Sequence, residues 1–418
     1  MVRPAGKVPQ GEALNVAISI AHGGGLADAY RLGQGPTAHV MPTTPLLAGG
    51  VYHLFGVLSP LSEAILACCS LGLAIGTYFI LYRAFGHLGS SQAARLSGFT
   101  LACVLPTYLP QEAVEFRLWE GGLAVFLCAL FFERFTCAIS RQNVRGIDIV
   151  YPAVLAALVL FVNPVLGVAV YVCAVAACCQ RLTAKQSLAA IGVTALSLIM
   201  IFGPWVARNW IVMGTPVLSR SNAGLELALA DYPGALDPGD PVQEYRRRIL
   251  EIHPLSSDRA YQAMREAGGE VAYARGLGAE TLRWMRSNPS IALRLLRTHF
   301  SEVLFPREWQ FRLLGNNKLT RLRATLACAV TAAGLLGIGL ALWSRRTGWI
   351  YPALIILTCA ACLSLVQPVP RYTYLIYPLL VFCAGDALTS WSHPKSAAAR
   401  SQPSVAEPHQ RGGISAGD

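Results

Sequence analysis

Charge is what this sequence has least of. Only 14% of its 418 residues are charged while 54% are hydrophobic, against about a quarter charged in an ordinary soluble domain. That shortage excludes a soluble globular protein. Apolar runs of the roughly 20 residues that a helix needs to cross a bilayer recur along the chain. The runs lack the strict alternation of polar and apolar residues that a β-barrel requires, which leaves a helical bundle. Internal repeats are absent as well. Acidic residues are scarcer than basic ones, 23 against 34, for a formal charge of +11. In such a chain the excess means loops retained on the cytoplasmic side rather than nucleic-acid binding, so no nucleic-acid partner is expected. The twelve cysteines all lie in or beside apolar runs and none in the long polar stretch, which excludes a disulfide framework and a zinc site.

The polar start is followed by an apolar run, residues 13–21, too short to span and too weak for a signal peptide. The chain is therefore expected to begin outside the membrane or to lack a first helix encoded upstream of Met1. Residues 1–60 read as an extracytoplasmic segment carrying the first outward loop. Transmembrane helices are expected over 61–205, an extracytoplasmic loop region with amphipathic helices over 206–323, further transmembrane helices over 324–390, and a disordered cytoplasmic tail over 391–418. The individual spans are placed at 63–81, 96–109, 118–132, 149–162, 165–179, 188–205, 324–343, 349–366 and 372–388. Arg83 and Arg95, then Arg134, Arg141 and Arg145, then Arg181 and Lys185, occupy every second loop and point those loops inward, with Arg345 and Arg346 in a later inward loop. Residues 23–55 then face out. In the long loop, Ser256 or Ser257 caps a helical pattern carrying Glu270, Tyr273, Glu280 and Trp284 and ending near Asn288-Pro289. From 290 to 305 the apolar set Ala292, Leu293, Leu296, Phe300, Val303 and Leu304 opposes Arg294, Arg297 and Ser301, a pattern suited to the headgroup layer.

Four stretches carry a resemblance: GPTAHVMPTTPLLAGGVYHLFG in the first loop, PWVARNW at the exit into the long loop, GEVAYARGLGAETLRWMRSNP within it, and the late VPRYTYLIYPLL. In this order they resemble bacterial membrane glycosyltransferases of the GT-C superfamily, relatives of the dolichyl-phosphate-mannose protein mannosyltransferases and the lipid A aminoarabinose transferases, over residues 13–386. The resemblance implies an all-α polytopic membrane protein of GT-C-like bundle fold in the cytoplasmic membrane. It also implies a polyprenyl-phosphate-linked sugar as donor and transfer on the extracytoplasmic side to a lipid, glycan or protein acceptor. A catalytic acid is implied in the first outward loop, where Asp28 matches.

Sugar transfer from a lipid phosphate needs a carboxylate to take the acceptor proton and cations for the leaving phosphate. Asp28 is the candidate base; its plain alternative is a loop Asp capping a turn. Arg208 and Arg371, each at the outer mouth of a span, are candidates for the phosphate, with snorkelling at the interface as the alternative. His39 is a further candidate for donor phosphate or sugar, or a structural loop histidine; Tyr30 and Arg31 are read in the same way as substrate contacts. Glu112, Glu115 and Glu120, acids at a membrane boundary, suggest acceptor binding or help with a divalent metal, against plain pairing with a neighbour such as Arg117. No second carboxylate stands beside Asp28, so no metal or other cofactor is required by the sequence. A transporter or lipid flippase is the competing function, disfavoured by the missing repeats and by the long outward loop. A catalytically inactive partner in envelope glycan assembly is the third.

Overall fold

The structure, a computed structural model, describes residues 11–108, 112, 117–141, 145–313 and 319–392. Glu115 and the expected tail beyond 392 lie outside the described residues. The regular elements described are helices. Helices α1 (Glu12–Ala21) and α2 (Thr43–Phe55) pack as a pair on the long α3 (Pro60–His87) through Leu14, Ala17, Ala48, Tyr52 and Leu66. Then come α4 (Gln92–Val104), α5 (Gly121–Ile139), α6 (Gly146–Val162), α7 (Pro164–Arg181) and α8 (Ala184–Met213). Six shorter helices follow: α9 (Ala223–Ala230), α10 (Pro241–Ile252), α11 (Asp258–Glu266), α12 (Glu270–Ser287), α13 (Pro289–Leu304) and α14 (Glu308–Arg312). They form a layer over one end of the bundle, here called the capped end. The chain returns through α15 (Thr320–Trp343), α16 (Ile350–Leu363), the short α17 (Pro370–Tyr374) and α18 (Tyr377–Ser392).

Each run expected to span overlaps a helix, the last of them two, and α3, α5, α8 and α15 are long and apolar enough to cross a bilayer alone. Leu188, Ile191, Leu196, Ile199 and Met200 of α8 are exposed, as lipid-facing side chains should be and as a water-soluble surface rarely is. Starts and ends follow local chemistry. Ser59 Oγ accepts the Ser62 N–H at 3.1 Å to open α3, and Asn163 Oδ1 accepts the Leu166 N–H at 3.1 Å, so Asn163-Pro164 makes the expected tight return between α6 and α7. Several expected boundaries move, two of them for clear local reasons. Pro204 does not end α8, which runs on to a left-handed Gly214 at φ 67°, because a C-cap glycine satisfies the last carbonyls and proline alone does not. The helix expected from Ser256 or Ser257 to near Asn288-Pro289 breaks into α11 and α12 at Gly268 and Gly269, whose φ values of 90° and 108° no helix accommodates.

Within the bundle α18 lies between α4 and α15. It does so at backbone contact: a Cβ placed on Gly385 would stand 2.4 Å from the Ala94 carbonyl oxygen, so only glycine allows the crossing. At the end opposite the cap, Arg346 donates to both oxygens of the buried Asp386, at 2.7 and 3.3 Å, and to Ser90 Oγ at 3.2 Å, with its guanidinium 4.6 Å from the Trp349 ring centroid. Helix α13 turns Ala292, Leu295, His299, Glu302, Val303 and Leu304 inward and packs on α12, α16 and α17. Leu293, expected on its apolar face, is exposed.

Candidate active site

The first loop is a small hairpin. Thr37 N–H donates to the Leu26 carbonyl at 3.1 Å, and Ala27 and Pro36 make an isolated antiparallel bridge. Asp28 sits in it with φ 65°, a left-handed conformation that a short polar side chain tolerates by bonding locally. Its Oδ1 accepts the Gly35 N–H at 2.9 Å, and its own N–H reaches the Gly35 carbonyl at the same distance. The aspartate expected to be the base therefore spends one oxygen on holding its own turn.

Two elements from far along the chain fix that hairpin. Glu270, the buried first residue of α12, accepts from Ala38 N–H at 2.7 Å and Ser221 Oγ at 2.9 Å through one oxygen, and from Thr37 Oγ at 2.6 Å and Gln34 Nε2 at 3.3 Å through the other. Helix α9 reaches α12 closely enough for this because Gly224 has no side chain; a Cβ there would stand 1.9 Å from the Ala274 carbonyl oxygen. From α8, Arg208 donates to the Thr37 carbonyl at 2.7 Å, to the Leu26 carbonyl, and to Asn209 Oδ1 at 2.8 Å. The fork expected to grip a phosphate is thus strapped across the hairpin's backbone.

What the hairpin presents is His39, buried, with Nδ1 2.7 Å from the Tyr30 hydroxyl. Beside it, at 6.2 Å between ring centroids, lies His253 from the end of α10. Both face Glu12, the first residue of α1: its Oε1 is 3.3 Å from His253 Nε2 and 3.9 Å from His39 Nε2. The Leu255 N–H donates to His253 Nδ1 at 3.3 Å, so a neutral His253 carries its proton on Nε2 and aims it at Glu12. Burial raises the Glu12 carboxyl, but the His39 and His253 rings when protonated, a backbone hydrogen bond and more distant Arg371 outweigh it and hold the group below its ordinary value. Burial pushes His39 down to about 4, so that ring is neutral at physiological pH. Glu226 of α9 goes the other way, raised by burial against the pull of Arg371 and His253. Arg371, exposed on α17 with its guanidinium 5.2 Å from the Tyr372 ring centroid, acts electrostatically on Glu12, Glu226, Tyr245 and Tyr372.

The ligand atoms of Glu12, His39 and His253 lie within 4.8 Å of one another, a separation a divalent cation could bridge. A metal would need the lone pair on His253 Nε2, where the Leu255 contact puts the proton instead. The trio fits a carboxylate held by N–H groups better than a metal site, and no chemistry below passes through one.

The other expected residues are engaged with partners of their own. Arg31 pairs with Asp258 and lies over the Tyr261 ring at 4.3 Å, so it anchors the hairpin to α11. Glu120 pairs with Arg220, and Arg117 pairs with Glu63. Glu112 is buried against the Tyr78 hydroxyl, and burial raises its carboxyl. Reading the sequence missed Glu12, Glu226, Glu270 and His253 as site residues. Glu12 and Glu270 each open a helix, where an acid reads as a dipole partner, and nothing in the chain's local pattern ties His253 to residues 12 and 39.

No protein-family profile matches the chain, and no curated protein matches it either. Among solved structures it is similar to the archaeal oligosaccharyltransferase AglB from Archaeoglobus fulgidus in complex with an inhibitory peptide and a dolichol-phosphate, at 16% identity and TM-score 0.50 over 97% of this chain and 48% of that one. ArnT from Cupriavidus metallidurans bound to undecaprenyl phosphate aligns at 13% identity and TM-score 0.32, over 95% of this chain and 77% of that one. The chain spans about half the length of the AglB structure. The shared feature is the fold, which in the described residues of this chain is an all-α bundle with four helices long and apolar enough to cross a membrane.

Proposed function

We propose that this protein is a membrane glycosyltransferase that moves a sugar from a polyprenyl-phosphate donor to an acceptor hydroxyl, at a capped end facing the extracytoplasmic side. The observation that carries the reading is the Glu12 carboxylate, steered by His253 Nε2–H at 3.3 Å and sharing its surroundings with Arg371. Glu12, kept ionised, takes the proton of the acceptor hydroxyl as that oxygen attacks the anomeric carbon. The bond from the anomeric carbon to the phosphate oxygen breaks, and the phosphate leaves with the electron pair into the field of Arg371. Paired carboxylates whose surroundings push them apart mark an acid and a base; Glu226, the more readily protonated, can offer a hydrogen bond to the donor.

In this reading Asp28, Arg208 and Glu270 shape the hairpin, and His39, buttressed by Tyr30, positions Glu12. The resemblance of the four sequence stretches and the fold shared with AglB, whose structure holds a dolichol-phosphate, support the donor class. The test is donor consumption by the full chain in proteoliposomes, with a radiolabelled polyprenyl-phosphate sugar and hydroxyl acceptors. Label should move to an acceptor with the wild type and not with Glu12→Gln. Undiminished transfer by Glu12→Gln would remove Glu12 from the chemistry. Passage of the donor across the bilayer without any transfer would favour the flippase instead.

A further inference from the structure

A cavity of about 170 Å³ lies between α10, α13 and α14. Tyr232, Glu244, Tyr245, His299, Glu302 and Trp309 line it. Tyr245 links it electrostatically to the Glu12 site, since its phenol feels Glu226, Arg371 and Glu12.

The cavity's charges are already matched. Glu244 holds Arg247 through both oxygens, at 2.6 and 2.9 Å, and Glu302 faces Arg307 Nε at 3.2 Å. A cation would have to displace those arginines, and an anion would meet three carboxylates, Glu244, Glu302 and Asp237. What the wall offers instead is acceptors for hydroxyl protons beside three aromatic rings. Glu244 takes one such bond from the Tyr232 hydroxyl at 2.9 Å. His299 Nδ1 lies 3.1 Å from the Ser364 carbonyl oxygen; a carbonyl can only accept, so Nδ1 carries the proton and Nε2 is left as an acceptor. Burial lowers the pKa of this histidine, which keeps it neutral. The space is far above the roughly 10–15 Å³ that a single water needs and admits a group the size of one six-membered sugar ring.

We propose that this cavity seats one neutral sugar ring of the acceptor. The acceptor is then a glycan whose reactive hydroxyl extends past Tyr245 to Glu12, with ring hydroxyls donating to Glu244, Glu302 and His299 Nε2 and C–H faces packing on the aromatic rings. The assignment of this ligand as the acceptor rests on the transferase reading above; its seating in the cavity does not.

Binding is the discriminating readout. Saturation-transfer NMR on the full chain in nanodiscs, with methyl hexosides, a lysine-bearing peptide and inorganic phosphate as separate probes, should give signal from a hexoside and from neither of the others. Glu302→Gln and, at the more accessible rim, Glu244→Gln should each weaken hexoside binding about tenfold or more; the second stands in if the first does not fold. Presenting the same sugar on a polyprenyl diphosphate in the nanodisc separates a lipid-linked acceptor, which binds tighter than the free hexoside, from a soluble glycan, which binds no tighter. Absence of hexoside binding by the wild type, binding unchanged in the folded variants, or preference for the peptide overturns the proposal. A wild type that binds hexosides at this cavity yet transfers no sugar would sink the transferase reading and leave the sugar site standing.

Discussion

The two ends of this molecule each hold a carboxylate among polar partners, and the partners differ. At the end opposite the cap, Asp386 receives two N–H groups from Arg346, itself laid on Trp349. At the capped end Glu12 faces two imidazoles, one of them neutral with its proton affinity pushed down to about 4. A guanidinium is a permanent charge and fixes its carboxylate as an acceptor already in use. Imidazole N–H groups orient a carboxylate while leaving it able to take another proton. The kind of partner, more than burial, separates a lock from a base.

Breaking each end should give opposite phenotypes. Glu12→Gln is expected to lower kcat by roughly 10² to 10⁴ while the melting temperature in detergent stays within a few degrees of wild type. Asp386→Asn is expected to leave transfer per folded molecule in place and to cost about 3 kcal/mol of stability, because a largely buried guanidinium loses its counter-charge; denaturant titration reads the loss. A kinetic defect in Asp386→Asn without a loss of stability would collapse the distinction. Glu270→Ala sharpens it from the side of positioning. Four donors lose their acceptor at once, so the hairpin should become protected less well in hydrogen exchange and the acceptor KM should rise with kcat falling, by about tenfold in kcat/KM.

The acid range supplies a subtler contrast. His39 has a folded pKa of about 4 against an ordinary 6.5, so between those values the unfolded chain binds more protons and stability rises with pH. Asp231, whose two oxygens have no hydrogen-bond partner among the described residues, is pushed up by burial to about 7 from 3.8. Between those values the folded chain binds more protons, and stability falls as pH rises. The two slopes oppose each other over nearly the same window. Melting temperatures between pH 4 and 7 should therefore be nearly flat in this respect for the wild type, climb with pH in Asp231→Asn, and decline in His39→Gln; variant curves parallel to the wild type would contradict both assignments. The smallest effect is expected from Asp28→Asn, which keeps an acceptor for the Gly35 N–H and should change the transfer rate by no more than about two- to threefold.

Much of the fold was legible because bilayer crossing demands long apolar runs, and these were present at α3, α5, α8 and α15 and, more briefly, in the helices between. Helix ends were readable where a cap is local, as at Asn163-Pro164, and were misplaced where it was Gly214, rather than Pro204, that terminated a helix. The site was less legible. The first loop stands out in the sequence as a polar stretch with a lone aspartate, Asp28, whose carboxylate in the fold turns inward to the Gly35 N–H. Glu12 stood at the edge of an apolar run and looked like a helix start. His253 and Glu226 reach the site through the α9–α12 packing that Gly224 permits, a long-range contact that no window of sequence contains. Arg208, expected to meet a phosphate, donates instead to the Thr37 and Leu26 carbonyls, and backbone carbonyls of a distant hairpin leave no trace in local composition.

The most direct test of the central claim is chemical rescue. In Glu12→Ala, sugar transfer should be nearly lost and should recover in proportion to added formate, a small carboxylate able to occupy the vacated position, with no such response in Asp28→Ala. An active Glu12→Ala that ignores formate, or an inactive Asp28→Ala restored by it, would place the base in the hairpin turn and contradict the account.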